Sequence, residues 1–170
     1  MNPEDAAAYY NRGAAYAELK KHEQAIDDFN KVIELNPDDA EIHANRGLTY
    51  PKIGKYEESA RDLKKAGILF FSSGRVEDSV KANSLCFKLQ DKIENDDVVY
   101  CGLTLFLITL NADVIIELRK MKIQDETLRK IFELAVRKLR NRDISEELAE
   151  IEEKEKREEM RILLGLLKRF

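Results

Sequence analysis

The sequence is poor in helix-breaking residues and in the residues that build most catalytic or metal sites. Its 170 residues include three prolines, seven glycines, two cysteines, two histidines and no tryptophan. Charged residues, in contrast, make up 36% of the chain. Few breakers combined with many charges are typical of long helices with solvated faces, so the composition predicts an all-α fold.

The cysteines and histidines do not form a metal-binding pattern. Cys86 and Cys101 each lie within an apolar helical pattern, which indicates two reduced, partly buried thiols rather than a disulfide or a metal pair. His22 falls at a predicted turn and His43 on a helix face, without the partners a metal requires. Because glycine-rich phosphate loops and nucleophile motifs are also missing, we expect no cofactor and no enzymatic activity.

The sequence has neither a long hydrophobic run nor a strong net charge. The most apolar stretch, residues 98–110, is too short to span a bilayer, and the polar opening at residues 2–5 differs from a secretory signal. A net charge of −4 favours neither a nucleic-acid partner nor an acidic tail. We therefore expect a soluble, cytoplasmic protein without a membrane partner.

An internal repeat organises the N-terminal part of the chain. Each copy contains a helix with a small residue in the middle of one face, a short turn and a second amphipathic helix. The first copy closes at Pro37, which stops a helix, and the aspartates that follow can cap the next one. An offset of 34 residues relates these segments and single residues: Asn11-Arg12-Gly13 and Asn45-Arg46-Gly47, Tyr16 and Tyr50, Lys21 and Lys55, Glu23 and Glu57, Asp28 and Asp62.

This pattern resembles the tetratricopeptide-repeat family. In the first copy, residues 6–39, the family's signature positions are filled by Tyr9, Gly13, Tyr16, Ala25, Phe29, Val32 and Pro37. In the second copy, which begins at Ala40, they are filled by Gly47, Tyr50, Tyr56, Ser59, Leu63 and Ala66. Small residues at these positions let paired helices approach closely, and aromatic residues fill the gaps between them. The resemblance implies a right-handed superhelix of antiparallel helix pairs, with additional helices after it.

The repeat period slips after residue 55. Residues 56–72 fit both the second helix of the second repeat and the first helix of a third, and residues 74–89 fit the partner helix of that third repeat. We predict that one helix serves two neighbours; the alternative is a long plain helix followed by an unrelated one. The predicted repeats occupy residues 1–94, at about 6–39, at 40–73 and, as a degenerate third, up to about 92.

Pro51 interrupts the first helix of the second repeat. It lies where that helix should still be running, and it cannot donate a hydrogen bond to the carbonyl of Gly47. Because Gly54 marks a turn three residues later, we predict a distortion confined to the last turn of the helix.

The C-terminal part, residues 95–170, is predicted to be a helical extension. Residues 98–110 are apolar nearly all round and pair with residues 113–121 as either a degenerate fourth repeat or a plain helical pair. Residues 125–141 form an amphipathic helix whose basic face we interpret as solvated surface rather than a nucleic-acid site. Residues 143–170 predict one long capping helix, kept helical in water by the ion pairs Glu150–Lys154, Glu152–Lys156 and Glu153–Arg157.

The family resemblance implies a protein that binds other proteins. In the family, a concave groove lined by the first helix of each repeat usually holds an extended peptide or a partner's helix. The positions of that groove correspond here to Tyr10, Asn11, Ala14, Glu18, Glu41, Ala44, Asn45, Leu48, Lys52, Arg61, Lys65 and Ile68. We therefore predict a scaffold or adaptor whose partner is a protein or peptide.

Two alternatives accompany the adaptor hypothesis. Some family members clamp a C-terminal carboxylate, and Asn11, Asn45, Arg61 and Lys65 match positions of that clamp, although Ala7 occupies the place of its first lysine. The other alternative is a structural protein that forms a homo-oligomer through the apolar helices after residue 95.

Overall fold

The computed structural model describes residues 5–140 and 143–169, and all regular structure in these ranges is helical. This confirms the predicted all-α fold. The chain divides into an N-terminal unit that ends at Ile93 and a C-terminal unit that begins at Glu94. The helices are α1 Ala6–Glu18, α2 His22–Leu35, α3 Ala40–Thr49, α4 Tyr56–Ser72, α5 Val76–Phe87, α6 Asp96–Thr109, α7 Ala112–Leu118, α8 Glu126–Lys138, α9 Ser145–Lys154 and α10 Glu158–Arg169.

In the N-terminal unit, each helix packs against the next one in the chain. Aspartates begin the first helix of the first and second repeats: the Asp5 carboxylate accepts from the Ala8 amide, and that of Asp39 accepts from the amides of Glu41 and Ile42. These caps satisfy amides that have no partner within the helix. The aspartate after Pro37 therefore begins α3 as the sequence predicts.

Close helix contacts at the repeated glycines build the pairs of the N-terminal unit. A Cβ atom added at Gly13 would lie 2.9 Å from a ring carbon of Phe29, and one added at Gly47 would lie 3.0 Å from Cγ of Leu63. Carbon atoms do not approach this closely without displacement, so larger side chains would separate α1 from α2 and α3 from α4. Glycine is needed here for close approach, as the repeat pattern predicts.

Helix α4 packs against α3 on one side and α5 on the other, and the two contacts share a detail. The Ser59 hydroxyl of α4 donates to the Gly47 carbonyl of α3 at 2.6 Å. The Ser79 hydroxyl of α5 donates to the Gly67 carbonyl of α4 at 2.9 Å. Each serine lies twelve residues after its glycine, so α4 is the second helix of one pair and the first helix of the next.

The chain leaves the α-helical path at Pro51. Helix α3 ends at Thr49 and is followed by the 3-10 turn Tyr50–Ile53, which closes at Gly54 with a φ of +76°. The distortion is confined to this turn, as predicted. Since Pro51 has no N–H group for the Gly47 carbonyl, the Ser59 hydroxyl takes the place of that donor.

Helix α6 lies at the centre of the C-terminal unit. The side chains of Val98, Tyr100, Leu103 and Phe106 are at most 1% exposed, and α6 contacts α7, α8 and α10. At its first turn, the Asp96 carboxylate accepts from the amides of Gln124 and Asp125, which fixes the loop before α8. Helices of the same unit therefore bury the apolar side chains of α6.

The prediction of one long helix over residues 143–170 is wrong. The chain forms α9 and α10 with a break at residues 155–157, where Glu155 has extended backbone angles. Of the predicted ion pairs, Glu150–Lys154 is present, whereas Glu152 pairs with Lys168 at 2.6 Å. The physical reason is burial: a straight helix would leave the leucines of α10 in water, and folding back buries them. Residues 141 and 170, which the predicted helices include, lie outside the described ranges.

Candidate functional site

A depression of about 310 Å³ lies between α1 and α3 in the N-terminal unit. Five of the twelve predicted groove residues line it, together with four residues that the sequence did not assign to the groove. The lining residues are Tyr10, Ala14, Ala17, His22, Phe29, Asn45, Leu48, Thr49 and Lys52.

Helical periodicity brings these side chains to one face. Tyr10, Ala14 and Ala17 follow one another at spacings of four and three residues along α1, and Leu48 and Thr49 lie three and four residues after Asn45 along α3. Such spacings place side chains on the same side of a helix. Ala17 and Thr49 could therefore have been predicted from the residues already chosen on the same faces.

The floor of the depression is aromatic and its rim is partly apolar. Phe29 is only 2% exposed, and its ring centroid lies 6.5 Å from that of Tyr10. At the rim, Leu48 is 44% exposed. An apolar floor beside an exposed leucine is the arrangement expected of a site that takes an apolar side chain.

Three polar groups surround this apolar floor. Asn45 carries both a donor and an acceptor, and Lys52 adds a positive charge at the end of the depression. The Nδ1 atom of His22 is shielded from solvent and has no hydrogen-bond partner within the described part of the chain. The depression therefore offers hydrogen-bonding groups as well as apolar surface.

A second depression of about 270 Å³ lies on the other side of Tyr10, which lines both. Glu41, another predicted groove residue, lines this second depression. We call the two depressions together the α1–α3 surface. The second one is lined by Ala6, Ala7, Tyr10, Val32, Asn36, Asp39, Glu41 and Ile42.

The other predicted groove residues lie elsewhere. Asn11, Glu18 and Arg61 are exposed and line neither depression. The ammonium group of Lys65 pairs with Asp38 at 3.2 Å. Of the four side chains matched to a carboxylate clamp, only Asn45 therefore lines the α1–α3 surface.

Sequence reasoning missed a repeated ion pair that fixes α1 and α3, the first helices of the first two repeats. Arg12 Nε donates to the Asp28 carboxylate at 2.7 Å, and Arg46 Nε donates to the Asp62 carboxylate at the same distance. Both aspartates are 4% exposed. Each arginine precedes its aspartate by sixteen residues, and both pairs recur at the 34-residue offset, so the sequence held this signal.

The Asp62 carboxylate is the centre of a buried polar network in the second repeat. His43 lies 3.2 Å from it through Nδ1 and 2.9 Å from the Pro37 carbonyl through Nε2. Burial alone would raise the pKa of Asp62, but hydrogen bonds from Arg46 and His43 outweigh it and leave that pKa below its ordinary value of 3.8. The network fixes α3, which carries Asn45 and Leu48.

In the C-terminal unit, basic residues of α8 are engaged within the unit itself. Lys130 pairs with Glu126, and Arg137 pairs with Glu147. Lys138 Nζ donates to the Leu167 carbonyl at the end of α10. A depression of about 440 Å³ between α8 and α9 is lined by charges of both signs. Three basic side chains of α8 are therefore held by acceptors of the same unit.

Within residues 5–140 and 143–169, no group of three or more His, Cys, Asp or Glu side chains could hold a metal ion. The thiols of Cys86 and Cys101 are both buried. None of the helices in the described ranges is long and apolar enough to cross a membrane. The α1–α3 surface is therefore the strongest candidate site in the described part of the chain.

Comparisons with known proteins agree with this architecture. Two family models described as tetratricopeptide repeat match residues 6–39 and 29–60. No curated protein sequence matches the chain. The solved N-terminal domain of stress-induced protein-1 (STI-1) from C. elegans is similar, with a TM-score of 0.51, 18% identity, and coverage of 71% of this chain and 97% of that one. A tetratricopeptide repeat protein from Parabacteroides merdae ATCC 43184 gives a TM-score of 0.35 at 17% identity, with coverage of 96% and 71%. The family models confirm the resemblance found in the sequence, and the STI-1 domain shows a shared fold.

Proposed function

We propose that this chain, which carries tetratricopeptide repeats within residues 6–60, is an adaptor that binds an extended peptide of a partner protein on its α1–α3 surface. Tetratricopeptide repeats generally mediate protein–protein interactions, and scaffolds built from them are generally not enzymes. The fold by itself selects no partner, so the proposal depends on the side chains of the site.

One observation carries the proposal: the half-exposed Leu48 stands beside the buried ring of Phe29 at the rim of the first depression. The alanines of α1 leave the depression open, because a methyl group fills little of the space between two helices. An apolar side chain of a peptide would cover Leu48 and gain the free energy of removing both from water.

The polar groups suggest the chemistry of the bound peptide. The side-chain amide of Asn45 can donate to a peptide carbonyl and accept from a peptide amide at the same time. Lys52 favours an acidic side chain or a free carboxylate at the end of the depression. We therefore propose that the preferred peptide has an apolar anchor residue followed by an acidic group.

Selection of peptides from a phage-displayed library on the full chain tests this function. For a selected peptide, we expect Leu48→Gln to weaken binding at least about tenfold, since burying a leucine contributes roughly 1.5–3 kcal/mol. Leu139→Gln is the matched control, because Leu139 is 41% exposed, belongs to the C-terminal unit and lines neither depression of the α1–α3 surface. Equal losses for the two variants would contradict the proposed site.

The same peptide tests the carboxylate clamp. Its free-acid and amidated forms are titrated in parallel by isothermal calorimetry. Since only Asn45 of the four matched side chains lines the surface, we expect the free acid to bind no more than a few-fold more tightly, through Lys52. A difference of about a hundredfold or more would show that Asn11, Arg61 and Lys65 converge on the carboxylate when the peptide binds.

A further inference from the structure

The break between α9 and α10 occurs in a segment whose residues favour a helix. Residues 145–169 contain one glycine, Gly165, and no proline. The break falls at Glu155, Lys156 and Arg157, all of which have high helix propensity. Since the local sequence does not end the helix, contacts with other parts of the C-terminal unit must hold the chain in its folded-back form.

A small set of polar contacts holds the break. The Arg157 guanidinium pairs with the carboxylates of Asp125 and Glu155, and the Arg157 amide donates to Glu155 at 2.8 Å. Asp125 also begins α8 by accepting from the Leu128 amide. The Arg157 side chain is 44% exposed, whereas its partners Asp125 and Glu155 are 22% and 9% exposed. Ion pairs with one exposed partner stabilise a fold modestly, so the balance between the folded-back form and a straight helix depends on a few polar contacts.

Folding back gives α10 a large buried interface inside its own unit. Met160, Leu163, Leu164 and Leu167 are at most 4% exposed, and α10 contacts α6 and α8. The Tyr100 hydroxyl of α6 donates to the Glu159 carbonyl at 3.0 Å. An α10 helix from a second copy of the chain has the same side chains and can make the same contacts.

We propose that residues 155–157 are a hinge and that the C-terminal unit binds a second copy of this chain by exchanging α10. In the exchanged dimer, α9 and α10 join into one straight helix, and α10 of each copy packs against α6 and α8 of the other. A straight helix through residues 155–157 forms the helical hydrogen bonds that the break lacks. It also permits the ion pairs Glu152–Lys156 and Glu153–Arg157 between residues four apart. Since the apolar contacts are the same in both forms, protein concentration decides between them.

Two substitutions at the hinge change this balance in opposite directions. Lys156→Pro prevents a straight helix but fits the folded-back form, because Glu155 already has the extended conformation (ψ of 122°) that proline requires of the preceding residue. Arg157→Ala removes the guanidinium contacts with Asp125 and Glu155 that hold the break. By light scattering after size-exclusion chromatography, we expect Lys156→Pro to stay monomeric and Arg157→Ala to dimerise at a concentration at least about tenfold below wild type. Circular dichroism of each variant verifies that it is folded.

A distance measurement separates exchange from simple side-by-side pairing. Glu152 and Lys168 form an ion pair in the folded-back form, whereas sixteen residues of straight helix span about 24 Å. Spin labels at Glu152→Cys and Lys168→Cys, in labelled chain diluted with unlabelled chain, report this distance within one copy. We expect the longer distance in the dimer fraction and the short one in the monomer. A dimer that keeps only the short distance, or an Arg157→Ala variant that stays folded and monomeric up to millimolar concentration, overturns the proposal.

Discussion

Single side chains decide how closely the helices of the N-terminal unit approach each other. Gly13 and Gly47 allow α1 and α3 to lie against their partner helices, and the paired carboxylates of Asp28 and Asp62 hold the arginines of the same helices. Both features recur because the first two repeats pack their two helices against each other in the same way. The α1–α3 surface depends on them, since they set the position of every side chain that α1 and α3 expose.

The close approach at Gly47 predicts that replacement by alanine changes the stability of the chain in opposite directions at Gly47 and at Gly165. Gly47→Ala places a methyl group 3.0 Å from Leu63, and we expect it to destabilise the chain by about 1–3 kcal/mol. Gly165 is the control: it lies within α10, and an added Cβ would meet nothing within 4 Å. Gly165→Ala should therefore stabilise the chain by about 0.5–1 kcal/mol through helix propensity. Urea denaturation followed by circular dichroism measures both; a neutral Gly47→Ala would contradict the packing described.

The buried Asp62 network predicts a loss of stability in acid. Because the pKa of Asp62 in the folded chain lies below the ordinary 3.8, its contribution is present above that pH and is lost as the pH falls through the folded value. We expect Asp62→Asn to cost about 3 kcal/mol at neutral pH and to flatten the decline below pH 3.8. Asp27 is exposed, so Asp27→Asn is the control. The urea midpoints of this control variant, measured across the acid range, should be nearly those of the wild type. The same acid decline in both variants would exclude this role.

At the residue level, the sequence predicted packing better than it predicted the site. Gly13, Phe29 and the other signature residues were readable because their spacing follows from helix contacts alone. The groove residues were assigned by matching single positions to the family pattern, which does not show their ion-pair partners. In the structure, Lys65 pairs with Asp38 and Glu41 pairs with Arg75. Ion pairs between side chains far apart in the chain depend on the assembled fold, which a list of positions does not contain.

At the level of the helices, periodicity located most elements and failed where tertiary contacts overrule local preference. The α3 end at Pro51 and the start of α6 after Asn95 follow from local rules, and the structure has both. The break at residues 155–157 could not be predicted, since every local rule favours a helix there. It exists because α10 buries its leucines by folding back, a gain that appears only in three dimensions.

The Ser59 hydroxyl links α3 and α4, and its removal should cost more than the removal of its counterpart Ser79. Both donate to a glycine carbonyl, but the Gly47 carbonyl faces Pro51 and lacks its usual helical donor. We expect Ser59→Ala to destabilise by about 2 kcal/mol and Ser79→Ala by about 1 kcal/mol or less in urea denaturation.

A double-mutant cycle with Pro51→Ala identifies the origin of that difference. The substitution restores an N–H four residues after Gly47, so Ser59→Ala should then cost no more than Ser79→Ala. An unchanged cost of Ser59→Ala in the Pro51→Ala background would mean that the proline is irrelevant to the bond.

For the molecule as a whole, the two units have different proposed roles. The N-terminal unit presents the α1–α3 surface, where an apolar floor and the amide of Asn45 suit an extended peptide. The C-terminal unit buries the apolar helix α6 and carries the hinge at residues 155–157. Peptide binding and exchange of α10 therefore depend on separate residues, and variants at Leu48 and Arg157 can distinguish them.

Hydrogen–deuterium exchange of the full chain, with and without a selected peptide, tests the proposed binding surface most directly. Binding should slow amide exchange in Ala6–Glu18 and Ala40–Thr49, because the peptide covers these helices and suppresses their local opening. The Leu48→Gln variant should lose this protection at the same peptide concentration. Protection confined to residues 94–169, with α1 and α3 unchanged, would contradict peptide binding on the α1–α3 surface.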